Sequence, residues 1–105
     1  MTSPNANPAI AMSSVVVATK DQVSSDLAGE AILLSLQTAM YYGLDQVGAR
    51  IWELVREPTR VADIRDAIVR EYEVDLERCE RDVLDLLRHL AAEGLIEVKD
   101  GTEAT

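Results

Sequence analysis

Two side chains in this sequence could carry nucleophilic or acid–base chemistry: the single cysteine, Cys79, and the single histidine, His89. A thiolate is a nucleophile, and an imidazole exchanges protons near neutral pH. Cys79, however, falls in the apolar stripe of a predicted helix, between Leu76 and Val83, where a thiol packs as a small hydrophobe. His89 lies late in the same helix, facing solvent or placing a favourable charge near the helix C-terminus. The pattern favours structural roles for both, so a small enzyme using either residue is the least favoured function.

The remaining polar residues do not indicate a metal, cofactor or nucleotide site. One cysteine and one histidine cannot form an intrachain disulfide or a Cys/His metal cluster, and such cysteine usage fits a reducing cytoplasm. The acidic residues between 63 and 85 alternate with arginines, a pattern typical of solvated helix faces with i,i+4 ion pairs. Gly43, Gly48 and Gly94 lack the spacing of a phosphate-binding loop. We therefore expect no cofactor, no metal and no catalysis.

The charge of the chain argues against a nucleic-acid partner. Ten basic and nineteen acidic side chains give a formal net charge of -9, which opposes the phosphate neutralisation that dominates DNA affinity. The third predicted helix carries Arg78, Arg81 and Arg88, but four acidic residues share it. A winged-helix DNA-binding transcriptional regulator is nevertheless the main alternative function, because the predicted order of elements resembles that fold.

The length fits one small domain. Residues 1–14 are rich in Ser, Pro, Asn and Ala and are predicted to be a flexible tail, as are residues 101–105. The folded domain is then predicted over residues 15–100. The N-terminal residues have neither a signal-peptide pattern nor an apolar run that could span a membrane, so we expect a cytoplasmic protein.

The first half of the domain predicts a three-stranded antiparallel meander. Its first strand is either 15–19 or 23–27, two apolar stretches between which the sequence does not decide. The second strand is predicted at 30–36 and the third at 39–44. Because the breaks between them are short, consecutive strands are expected to pair with each other.

Three helices are predicted to follow the meander. Their predicted N-caps are Asp45, Thr59 and Asp75. Pro58 ends the first helix, the second runs to about Glu71, and Gly94 is the predicted C-cap of the third. A short strand is predicted at 95–99. The fold class is therefore α+β and winged helix-turn-helix-like, with a three-stranded antiparallel sheet followed by three helices.

The adjacent tyrosines 41 and 42 favour a binding function. Successive side chains of a strand face opposite sides, so Tyr41 and Tyr42 cannot both enter a core on one side of the sheet. We place Tyr42 in the core and leave Tyr41 for binding. If the third strand is a sheet edge, its free amides and carbonyls can accept an extended peptide. Leu84, beside the main stripe of the third helix, would then face the same groove; alternatively, Leu84 and Tyr41 are simply exposed apolar residues.

Three stretches also carry a family resemblance: LLSLQTAMYYGLDQVGARIWELV, EPTRVADIRDAIVREYEVD and CERDVLDLLRHLAAEGLIEV. They resemble the coenzyme PQQ synthesis protein D family, in particular its small members from lasso-peptide and other ribosomal-peptide pathways. The resemblance covers residues 23–98. Its most specific parts are 41–52 and 90–96. Family members commonly carry Asn where Asp45 stands, and Asp caps a helix equally well.

The resemblance implies a non-catalytic recognition element of three strands and three helices. Such proteins bind the leader of a precursor peptide as an added strand, between the third strand and the third helix, and present it to a modifying enzyme or leader peptidase. Carried over by position, the predicted peptide-binding residues are Ala39, Met40, Tyr41, Tyr42, Gly43, Arg81, Leu84, Leu87, Arg88 and Ala91. Arg81 is the predicted partner of leader carboxylates, and Trp52 is expected to support the junction between sheet and helices.

The partners implied by the resemblance are a precursor leader peptide and a leader peptidase or other peptide-modifying enzyme. Lasso-peptide leader removal is the favoured pathway, while radical-enzyme maturation of PQQ-type or other peptides stays open. No nucleic-acid or membrane partner is expected. A homodimer through the same exposed strand is a further arrangement that the sequence allows.

Overall fold

The structure, a computed structural model, describes residues 10–20, 22–27 and 29–99. The predicted tail at 101–105 and the first nine residues of the tail predicted at 1–14 lie outside the described residues. The elements in chain order are β1 (Val15–Ala18), β2 (Gln22–Leu27), β3 (Glu30–Ser35), β4 (Tyr41–Leu44), α1 (Gln46–Leu54), β5 (Thr59–Arg60), α2 (Val61–Tyr72), α3 (Leu76–Ala92) and β6 (Ile96–Val98). This is the predicted α+β class, with three helices after a three-stranded meander.

The strands form two separate antiparallel sheets. One is the predicted meander, in the order β2-β3-β4. The other has the order β5-β1-β6, with β1 in the middle. Both candidates for the first strand therefore exist: the stretch near Val23 begins the meander, and the stretch near Val15 is the centre of a second sheet that the sequence did not predict.

Residues 10–14 belong to the folded part, so the tail predicted from composition has to be shortened at its C-terminal end. Ile10 and Ser14 are each only 3% exposed. The carbonyls of Met12 and Ser14 accept hydrogen bonds from the first amides of α2, at 2.9 Å each. The first amides of a helix have no hydrogen-bond acceptors within the helix, and here the carbonyls of residues 12 and 14 serve as their acceptors. Ile10 and Met12 provide apolar surface to the core. The Ser, Pro and Asn residues around them gave this stretch the composition of a flexible tail, which is why it was predicted to be one.

Two of the three predicted helix N-caps are confirmed. The carboxylates of Asp45 and Asp75 accept hydrogen bonds from backbone amides in the first turns of α1 and α3, at 2.9 and 3.0 Å. The third prediction is wrong, because Arg60 occupies the N-cap of α2 and makes no capping bond with its side chain. Thr59 lies in β5 instead, and its hydroxyl donates to the carbonyl of Leu54 at 2.7 Å.

The helix ends follow the predicted stop signals closely. Helix α1 ends at Leu54, ahead of Pro58. The C-cap of α3 is Glu93 rather than Gly94, which follows it with a left-handed φ of +76°. A helix commonly ends with glycine in that conformation, one residue beyond the cap. A Cβ at Gly94 would lie 2.6 Å from the Oε1 atom of Gln37, so that exposed side chain would also have to shift.

The core lies between the helices and the inner faces of both sheets. Its largest fully buried side chains include Trp52, Leu33, Ile64 and Leu90, and each such burial stabilises the fold by about 1.5–3 kcal/mol. Trp52 is 2% exposed, as expected for a structural residue. The predicted i,i+4 ion pairs are replaced by i,i+3 pairs and by pairs between helices, including Arg50 with Glu71 at 2.9 Å.

Candidate functional site

Strand β4 lies at the edge of the meander and presents free backbone groups. The amide of Ser35 donates to the carbonyl of Met40 at 3.0 Å, which fixes the hydrogen-bonding phase of the β3–β4 ladder. Because this phase alternates along an antiparallel pair, the backbone of Tyr42 bonds to β3, and the backbones of Tyr41 and Gly43 point away from it. Among the described strands, none pairs with that side of β4. The edge strand predicted from sequence is therefore present, although shorter than 39–44.

The side chains of β4 alternate as the sequence predicted. Tyr42 is half-buried and packs against the core, whereas Tyr41 is 70% exposed. The two residues before the strand, Ala39 and Met40, lie in the turn after β3, and Ala39 has a left-handed φ of 60°. The left-handed backbone at Ala39 ends the extended conformation there, which is why β4 begins only at Tyr41.

A cleft of about 780 Å³ opens between β4, the start of α1 and the side of α3. Its floor is apolar and is built from Ile51, Ile68, Cys79 and Val83. Gly43 and Leu44 form one wall, while α3 forms the other. An apolar cleft beside a free strand edge can hold the alternate side chains of an added strand.

The α3 wall of the cleft consists of residues one helical turn apart. Arg78, Asp82 and Leu86 all line it, at i, i+4 and i+8. Leu86 is half-buried, and the two charged residues are exposed at the mouth of the cleft. Asp45 and Asp75 also line the cleft, but their carboxylates are already engaged as helix caps. Among the lining residues, Arg78 is the one cation.

The C-terminal part of α3 is joined to β4 by Tyr42. Its ring meets that of His89 edge to face, with the ring centroids 5.6 Å apart. The nearby Glu93 carboxylate raises the pKa of the Tyr42 hydroxyl. His89 is exposed, as predicted, while its ring contacts the strand through Tyr42. This ring contact places the C-terminal part of α3 beside β4.

The α3 residues predicted to bind a peptide do not line this cleft. Arg81, Leu84, Leu87, Arg88 and Ala91 occupy the core and the opposite margin of the helix. Leu87 is 0% exposed, and Arg88 donates a hydrogen bond to the carbonyl of Ile10 at 3.2 Å. Leu84 and Leu86 project about 160° apart around α3. Leu86 belongs to the apolar stripe predicted for α3, and the sequence does not say which margin of that stripe turns toward β4.

Cys79 lies in the floor of the cleft as a packing residue. It is 4% exposed, and its thiol donates to the carbonyl of Arg65 at 3.8 Å. Burial raises the pKa of the Cys79 thiol, with the nearby Asp82 carboxylate adding to the effect. Its burial in the core cluster confirms the packing role predicted from the stripe. In the described ranges, no three His, Cys, Asp or Glu side chains are grouped to hold a metal ion, and no helix is long and apolar enough to cross a membrane.

A sequence model of the family described as coenzyme PQQ synthesis protein D matches residues 30–96, more than half of the chain. The chain belongs to this family. The match runs from β3, through the cleft-forming elements, to the start of β6. The resemblance noted in the sequence is thereby confirmed for the PQQ synthesis protein D family. No curated protein sequence matches the chain significantly.

Solved structures similar to this member of the family include two with bound leader peptides. TbiB1 in complex with the TbiA(beta) leader peptide is 47% identical, with a TM-score of 0.71 over 77% of this chain and 94% of that chain. A lasso peptide synthetase B1 complexed with the leader peptide is 22% identical, with a TM-score of 0.68 over 78% of this chain and 96% of that one. At that identity the likeness shows a common fold.

A third similar structure comes from Methylobacterium extorquens. It is the PqqD truncation of PqqCD, described as a stand-alone recognition element for ribosomally synthesized and post-translationally modified peptides. It is 22% identical, with a TM-score of 0.69 over 85% of this chain and 95% of that one. This likeness also shows the fold, which matches the expectation from the family resemblance.

Proposed function

We propose that this protein binds the leader region of a ribosomally made precursor peptide as an added strand on β4 and presents it to a modifying enzyme or leader peptidase. One observation carries the proposal: Tyr41 and Gly43 have free backbone groups on the edge of β4, and this edge runs at Gly43 into an apolar cleft whose far wall is α3. The 47% identical TbiB1 is in complex with a leader peptide, which supports the same ligand class here. Lasso-peptide leader removal is the favoured pathway.

The free strand edge would provide affinity that depends little on the leader sequence. Tyr41 and Gly43 each offer one amide and one carbonyl to the added strand. Alternate side chains of the leader would enter the cleft and pack on Val83 and Leu86. Each apolar anchor buried there contributes about 1.5–3 kcal/mol.

The α3 wall would add selectivity to this binding. Arg78 at the mouth of the cleft is placed to pair with a leader carboxylate, the role that the sequence assigned to Arg81. We assign the opposite margin of α3 to structure: Leu87 to the core, and Arg88 to the segment that begins at Ile10. Nothing in this mode of action requires a catalytic group, so we infer that any chemistry on the peptide belongs to the partner enzyme.

The experiment is an anisotropy titration with a fluorescently labelled leader peptide, chosen by searching the neighbourhood of this protein's gene for precursor genes. We expect a dissociation constant in the micromolar range or below, and no binding of the same residues in scrambled order. The competing function, DNA binding, is tested with a labelled duplex at two salt concentrations. Absence of leader binding together with salt-sensitive duplex binding would reverse the assignment.

A backbone variant tests the added strand itself. The amide of Tyr41 points to the open edge, so Tyr41→Pro removes a hydrogen bond to the peptide while sparing the β3–β4 ladder. We expect weaker leader binding with an unchanged circular dichroism spectrum. Tyr41→Ala keeps the amide and serves as the side-chain control. Equal affinity of a folded Tyr41→Pro variant and the Tyr41→Ala variant would exclude strand addition at this position.

A further inference from the structure

The outer face of the meander, opposite the core, concentrates the exposed apolar side chains of the protein. Seven large hydrophobic residues are exposed in the described part of the chain, and five of them lie on this face or in the β3–β4 turn at its end. With the half-buried Leu34, they form what we call the outer patch. The outer patch consists of Val23, Ile32, Leu34, Leu36, Met40 and Tyr41. Their exposed fractions reach 70% at Tyr41 and 57% at Leu36.

The strand register makes the outer patch continuous. Val23, Leu34 and Tyr41 lie opposite one another across all three strands. Because paired residues face the same side of a sheet, these three side chains form one row. Ile32 stands in the next row, opposite Gly43, which has no side chain to separate it from the strand edge. A continuous apolar surface of this kind on a small protein marks an interaction site.

The described N-terminal segment does not cover the outer patch. The apolar residues nearest the N-terminal stretch, Ile10 and Met12, already pack against the core. A second copy of the chain is disfavoured electrostatically, since each copy carries a formal charge of -9. The partner that fits is therefore a different macromolecule.

We propose that the outer patch is the docking surface for the enzyme that processes the bound peptide, a proposal that rests on the proposed function. Tyr41 belongs to both the outer patch and the strand edge, so an added peptide strand would extend the patch with its outward side chains. One enzyme surface would then contact the protein and the leader together. The sheet end opposite the turn carries the exposed Glu30, which lies on the same face as Ile32 and Leu34. The enzyme surface therefore has an apolar centre with a basic residue on the side facing this carboxylate.

The test separates enzyme docking from peptide binding by using positions outside the cleft. Leu36→Ser and Val23→Ser remove apolar surface from the outer patch. Leu76→Ser is the matched control, because Leu76 is 49% exposed on α3 and lies outside both the outer patch and the cleft. Each variant is assayed for leader affinity by anisotropy, and for its ability to support processing of the full precursor by the enzyme encoded beside this chain.

We expect the Val23→Ser/Leu36→Ser double variant to bind the leader with wild-type affinity and to lower the processing rate at limiting enzyme at least tenfold. Leu76→Ser should leave both properties unchanged, and added salt should weaken the wild-type enzyme complex. Unchanged processing by the double variant would overturn the proposal. The proposal would also be overturned if the double variant lost leader affinity as much as processing rate, because the outer patch would then belong to the peptide site. A wild-type dimer in sedimentation that the double variant abolishes would overturn it as well. Failure of the wild-type protein to bind the leader would instead refute the proposed function.

Discussion

Two leucines on α3 allow a direct test of which helix margin meets the peptide. Leu86 lines the cleft, whereas Leu84 lies on the margin chosen from the sequence. Both are half-buried and pack against the core, so Leu86→Ala and Leu84→Ala remove the same atoms from comparable environments. A difference in peptide affinity between the two variants then reports the location of the peptide rather than a general effect on the helix.

The magnitude follows from the surface that Leu86 still exposes. Leu→Ala removes three carbon atoms, each worth about 0.8 kcal/mol when fully transferred from water. Since Leu86 is already partly covered in the free protein, about half of this sum is gained on peptide binding. We therefore expect Leu86→Ala to weaken leader binding by about 1–1.5 kcal/mol, a roughly five- to tenfold rise in the dissociation constant. Leu84→Ala should change it less than about twofold.

The assay is the anisotropy titration with the labelled leader, run beside thermal unfolding of both variants. Similar melting temperatures are expected, because the two side chains have similar burial. If Leu84→Ala weakened binding and Leu86→Ala did not, the peptide would lie on the margin of Arg81, Leu84 and Arg88, as the sequence indicated, and our cleft would be the wrong site. Equal losses would show that neither margin is specific.

Two further predictions concern stability. Gly94→Ala should lower the free energy of unfolding by about 1–2 kcal/mol in thermal or chemical melts, because Gly94 has a φ of +76° and a Cβ there meets Gln37. Gly43→Ala is its control and should not destabilise the protein, since a Cβ at Gly43 meets nothing within 4 Å. The Arg50 guanidinium holds the pKa of Glu71 below its usual range. That ion pair therefore stabilises the fold at neutral pH and is lost as the pH falls through the lowered pKa. The melting-temperature deficit of Glu71→Gln should therefore shrink as the pH falls below 4.5, the ordinary pKa of glutamate. A deficit independent of pH would exclude the ion pair as its cause.

Local patterns predicted the elements well, because the signals for strands and helix ends act over a few residues. Asp45 and Asp75 cap helices as expected, and the tyrosine pair divides between the two faces of β4. Thr59 was misassigned because its hydroxyl found a carbonyl partner at Leu54 before the helix began. A competing local hydrogen bond of this kind cannot be predicted from the residue type alone.

The candidate site could be predicted only on its strand side. A free edge follows from strand order, and Gly43 lies where the sequence placed it. The helix side depends on the rotation of α3 about its axis. Leu86 lies within the predicted apolar stripe and Leu84 beside it, and periodicity alone does not say which of the two faces β4. That rotation is set by tertiary contacts, including Tyr42 with His89 and Arg88 with the carbonyl of Ile10.

The central position of β1 in the second sheet has a consequence for how the protein is made. Val16 pairs with Val98, near the two ends of the described chain, so this sheet closes only when almost the whole polypeptide is available. During synthesis, β1 leaves the ribosome early and waits for its C-terminal neighbour, and α3 must also be complete before the cleft has its second wall. Until residues 96–98 have been synthesised, β1 has only β5 as a neighbour and the second sheet is incomplete.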